Sequence, residues 1–174
     1  MSLSRTVWAW GLWACLAYVG LSPRVAFASQ GETTAHVEPG AGCRASVVVI
    51  GAVTNPAPFP KELLSWKRQL TNPPFSFFKG FSLLKALSSS LAANRKPFKA
   101  QLAGPYFMEL KLLGRRLSAK GREQYRFQLK LIERKGKRSK VISNGTMRLD
   151  RGGTFFVAGP KVGRKTLILA ITLK

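Results

Sequence analysis

From Tyr125 to Leu131 apolar and polar residues alternate without a break: Tyr125, Phe127, Leu129 and Leu131 are separated by Arg126, Gln128 and Lys130. A period of two belongs to a strand with one face buried and the other in water. Met108, Leu110 and Leu112 alternate with Glu109 and Lys111 in the same way. Ser46-Val47-Val48-Val49-Ile50 is a short β-branched run and predicts a buried strand within Arg44–Val53. Val141–Leu149, Thr154–Ala158 and Thr166–Leu173 supply further strands, with Asp150-Arg151-Gly152-Gly153 and Gly159-Pro160 as separators. Ser118-Ala119-Lys120-Gly121 and Arg134-Lys135-Gly136-Lys137 have hairpin-turn composition. Asn144-Gly145 reads as a bulge or a tight turn.

One segment has helical spacing. Leu63, Trp66 and Leu70 share a face, and Lys61, Lys67 and Arg68 lie off it. Pro60 suits a helix start, and Pro73-Pro74 ends it. Residues 75–91 read as a short aromatic turn running into a strand, although Phe77, Phe81, Leu84 and Leu91 also fit a helical stripe. The whole predicts a mainly β chain: a small antiparallel β-sandwich or partly open barrel of about seven strands, with one short α-helix over residues 60–71. Sustained strand–helix alternation is missing, which argues against a doubly wound α/β fold.

The amino terminus has a different pattern. Arg5 precedes an uncharged apolar stretch, Val7–Leu21, and Ala26-Phe27-Ala28 follows Pro23 and Arg24. This order predicts a cleavable signal peptide over residues 1–28. The stretch is shorter than the roughly 20 residues of a spanning helix. Leu12-Trp13-Ala14-Cys15 resembles a lipobox but puts Trp13 where a small residue is needed. Residues 29–43 are polar and small and read as a tail or linker. Residues 44–174 read as a single basic β-rich domain. The expected location is secreted or periplasmic, in a bacterial envelope.

Charge adds the main functional signal. Loss of residues 1–28 removes Arg5 and Arg24 and no acid, so the formal net charge falls only from +22 to +20. Arg95–Lys140 holds 15 Lys or Arg against the three acids Glu109, Glu123 and Glu133. Alternation puts Arg126 and Lys130 in solvent, and the turns place Lys120 and Arg122 at one end and Arg134, Lys135, Lys137, Arg138 and Lys140 at the other. These nine residues form the expected polyanion-binding surface, for an acidic envelope polymer or anionic lipid headgroups. A solvated basic surface without a dedicated ligand has the same composition. Specific nucleic-acid binding is not expected, because Tyr125 and Phe127 alternate inward rather than offering stacking platforms. A second reading is an accessory subunit of an envelope assembly, with a protein contact through Phe75, Phe77, Phe78 and Phe81.

The residues for familiar catalysis are scarce. The one histidine, His36, lies in the tail, where no fixed partner can orient it as a base. After residue 28 the only cysteine is Cys43, so neither an intrachain disulfide nor a zinc ligand set is expected. Glu109, Glu123 and Glu133 sit among lysines and arginines and read as surface ion pairs. No catalytic, metal or cofactor residue is assigned, and the expected protein is not an enzyme.

One short stretch carries a resemblance. Thr146–Gly159, Thr-Met-Arg-Leu-Asp-Arg-Gly-Gly-Thr-Phe-Phe-Val-Ala-Gly, resembles the hairpin near the end of outer-membrane secretin domains. Pro160 stands where that family has a second glycine, and no pore segments are present. The resemblance implies two paired strands joined by the Gly152-Gly153 turn.

Overall fold

The computed structural model describes residues 42–93, 95–118 and 121–174. Eight strands appear in chain order: β1 (Gly42–Val53), β2 (Gly80–Ala92), β3 (Phe98–Ala103), β4 (Tyr106–Leu117), β5 (Glu123–Lys135), β6 (Arg138–Asp150), β7 (Thr154–Val162) and β8 (Lys165–Leu173). They form two antiparallel four-stranded sheets. The first has the order β2-β1-β8-β7 and the second β3-β4-β5-β6. The first and last strands pair along Ala45–Ala52 and Thr166–Leu173.

The inner faces of the sheets make one core. Val47 and Val49 of β1 and Leu169 and Ile171 of β8 meet Leu110 and Leu112 of β4 and Phe127 and Leu129 of β5. This face-to-face burial makes the architecture a sandwich. A second core lies on the outer face of the first sheet. There Leu63, Leu70, Phe75, Phe78 and Phe81 cover Ile50, Ala52, Ile168 and Ala170. β8 is therefore covered on both sides, and Leu167 to Leu173 are buried at every position. A strand buried on both faces needs no polar alternation, and Leu-Ile-Leu-Ala-Ile-Thr-Leu has none.

Several expectations need correction. Among the described residues the strands number eight: β2 is the strand expected after the aromatic turn, and β3 is the one that no run had marked. The helical segment is a 3-10 stretch, Lys61–Trp66, followed by a short α-helix, α1 (Lys67–Thr71). Gly42 and Cys43 belong to β1, so the strand takes in the last two residues assigned to the tail. Residues 1–41 lie outside the described residues, with the signal peptide and the rest of the tail.

Asn144-Gly145 is neither turn nor bulge: Asn144 faces Lys130 and Gly145 faces Leu129 in regular register, and the slip lies between Leu131 and Ile132. Gly159-Pro160 is inside β7, at a register shift between Ala158 and Lys161. Pro160 is tolerated because β7 is an edge strand and a proline there leaves no central ladder bond unmade. Thr146–Gly159 is not a paired hairpin. Its halves belong to β6 and β7, which lie in different sheets, and the Gly152-Gly153 turn carries the chain from one sheet to the other.

Candidate functional site

The outer face of the second sheet carries the most coherent set of cations. Tyr125, Phe127, Leu129 and Leu131 are buried, so Arg126, Gln128, Lys130, Ile132 and Arg134 of β5 take the opposite face. Register supplies their neighbours. Arg126 lies opposite Arg148 of β6, and Gln128 lies between Lys111 of β4 and Thr146 of β6. Lys130 lies between Glu109 and Asn144. Lys99 of β3 binds the Glu109 carboxylate at 2.7 Å.

Arg126 and Arg148 are like charges placed directly across a strand pair, an arrangement that costs stability. Within the described residues neither has an acidic partner in ion-pair range, and the same holds for Lys111 and Lys130. An anion over this face would relieve the repulsion. At its far end the Arg134 guanidinium stacks over the Phe107 ring, 4.6 Å from its centre. Ile132 packs opposite Phe107, and with Lys99 and Gln101 these residues line a shallow cleft of about 190 Å³. That is below the roughly 300 Å³ where small-molecule pockets begin.

The nine expected residues do not form one continuous surface. Arg126, Lys130 and Arg134 share the outer face. Lys135 pairs with Arg138, and Lys140 lies opposite Glu133, so alternation puts Lys135, Arg138 and Lys140 on the reverse side of the same hairpin. Lys137 occupies its turn beside Gly136, whose φ of 59° suits glycine best. Arg122 lies at the opposite end of β5 and binds Asp150 at 3.0 Å, so its charge is locally balanced. Lys120 lies outside the described residues. Lys111 and Arg148 are the functional candidates that reading strands singly passes over. The alternation Met147, Arg148, Leu149 was visible, but its alignment with Arg126 needs the β5–β6 register.

At the other end of the sandwich a polar cluster closes the inner core. Glu123 accepts hydrogen bonds from Arg115 at 2.7 Å and Arg151 at 2.9 Å, and these hold its carboxyl below the usual range. Cys43 is buried nearby, and its thiol is pushed up to about 11, first by burial and then by the Glu123 charge. Burial likewise raises Tyr125. The cluster closes the end of the core, and the buried thiol is held in its protonated form near neutral pH. A raised thiol pKa contributes stability below the unfolded value near 9 and loses it as pH rises toward about 11. The folded protein is expected to react with a thiol reagent at pH 8 at least about tenfold more slowly than the urea-unfolded chain. Equal rates would mean that Cys43 is accessible.

Of the four aromatic residues expected to make a protein contact, Phe75, Phe78 and Phe81 are core and only Phe77 is exposed, at 59%. Within the described residues no cluster of three or more His, Cys, Asp or Glu exists, and no helix is long and apolar enough to cross a membrane. Fold and surface define a two-sheet antiparallel β-sandwich with a cationic outer face. In comparisons with known proteins, no family model, curated protein or solved structure matches the chain.

Proposed function

We propose that this chain is an exported, non-enzymatic β-domain that binds an acidic envelope polymer through the outer face of its second sheet. The observation that carries the reading is the facing pair Arg126 and Arg148, with Lys111 and Lys130 further along the face, where the two neighbouring acids, Asp150 and Glu109, are engaged by Arg122 and Lys99. A repulsive array of this kind lowers the stability of the isolated domain, and a polyanion offsets that cost by taking the place of several counterions. The accessory-subunit reading has little apolar surface left, because three of its four rings hold the outer core together.

Lysine footprinting tests the location. With polyphosphate as the probe at low salt, Lys111 and Lys130 are expected to be protected from acetylation at least about fivefold. Lys61, Lys67 and Lys161, placed elsewhere on the domain, are expected to keep their reactivity. Uniform protection of all these lysines would show that net charge alone attracts the polymer and would remove the proposed face.

A further inference from the structure

The hairpin that joins β5 to β6 is unlike the rest of the surface. Residues 134–144 are exposed at every position, so the hairpin stands clear of both cores. It carries Arg134, Lys135, Lys137, Arg138 and Lys140, and the adjacent acid, Glu133, is bound by Lys135 at 2.9 Å. Amid these cations Val141 is 55% and Ile142 43% exposed. Val141 lies opposite Ile132, which is buried beside Phe107, so the exposed apolar pair sits at the edge of the sheet's outer face. Among the described residues β6 is an edge strand, with β5 its only partner.

Cations on an edge strand protect it from pairing with other chains. That accounts for the lysines and arginines but not for two adjacent β-branched residues held in water among them. A soluble polyanion would engage the charges and leave Val141 and Ile142 wet. An anionic bilayer meets both needs, since its headgroups pair with the cations and its acyl boundary takes the apolar side chains. We infer that the outer side of the β5–β6 hairpin docks on an anionic lipid bilayer, with Val141 and Ile142 entering the interface and Lys130, Arg134 and the turn residue Lys137 held at the headgroups. The inference rests on the polyanion reading for its electrostatic part and adds a specific surface and an apolar contact.

The test uses the protein without its proposed signal peptide, starting at Ser29, which keeps every core residue among the described ones. It is sedimented with vesicles of phosphatidylcholine alone, or containing about 30 mol% phosphatidylglycerol, and applied in parallel to a polyphosphate matrix. The protein is expected to follow the anionic vesicles and not the neutral ones. The double variant Val141→Ser, Ile142→Ser is expected to bind the anionic vesicles at least about tenfold more weakly and to keep its retention on polyphosphate. Both positions are exposed, so the variant keeps its fold.

Equal vesicle binding by the variant would overturn the inference and leave the polymer reading standing. So would retention on polyphosphate with no sedimentation on vesicles. Failure of the native protein on both supports would overturn the polymer reading as well. A second variant, Ile142→Trp, reports insertion directly, because Trp66 is the only native tryptophan after residue 28. Its additional emission is expected to shift blue with anionic vesicles. An equal shift with poly-glutamate would assign the open β6 edge to an acidic strand and overturn the bilayer.

Discussion

Replacing Phe127 with alanine is expected to lower the stability of the domain by about 4 kcal/mol, the range found when a fully buried aromatic ring is truncated. Phe127 is completely buried and sits at the centre of β5. Its register partners are Leu112 on one side and Met147 on the other, and Phe155 of the opposite sheet meets it edge-on at 6.5 Å. The ring thus touches both sheets, and the space it vacates is surrounded by the packed side chains of the inner core. Domains of this size are commonly stable by about 5–15 kcal/mol, so the variant would keep a small margin and melt about 15 °C lower. Phe77→Ala is the matched control. Its ring is 59% exposed and outside both cores, stacked only on Phe78 at 3.9 Å, so a loss of about 1 kcal/mol or less is expected. Urea unfolding of the two variants checks both values. Similar midpoints would mean that the sheets do not pack through Phe127.

The parts of the fold that the sequence announces are those with one wet face. β4 and β5 alternate because sandwich core lies on one side and solvent on the other, and their buried residues were predictable one by one. β8 hides its pitch because both faces are covered. β2 hides it for another reason: Gly80 and Phe81 lie under the outer core, Leu83 to Ala86 emerge into solvent, and Leu91 returns to the inner core. One strand crossing three environments has no single period. The basic surface was legible as a list but not as a shape. Alternation along β5 separates Arg134 from Lys135, and only the pairing of β5 with β6 brings Arg148 against Arg126. Local pattern sets the face of each side chain, whereas cross-strand register, set by turns and bulges, decides which charges become neighbours.

Reversing Lys111, Arg126, Lys130 and Arg148 to glutamate is expected to weaken binding to polyphosphate at least about hundredfold in about 0.1 M salt. Each reversal removes a favourable contact with the polymer and adds a repulsive one, and the four positions are clustered on one face. The dependence of binding on salt should flatten too, because about four fewer counterions are released. Net charge alone would produce part of this loss, so the comparison is with Lys61, Lys67, Lys161 and Arg164 reversed, which changes the formal charge equally at positions off the second sheet. That control is expected to retain the steep salt dependence and lose no more than about tenfold, through weaker long-range attraction. Lysine at positions 126 and 148 should preserve most of the binding, since charge rather than guanidinium geometry supplies the attraction to a flexible polymer. Equal losses from the face set and the control set would reduce the surface to a consequence of overall charge. A loss concentrated in the face set would seat the polymer over this face, where a bound polyanion relieves the Arg126–Arg148 repulsion built into the register of β5 and β6.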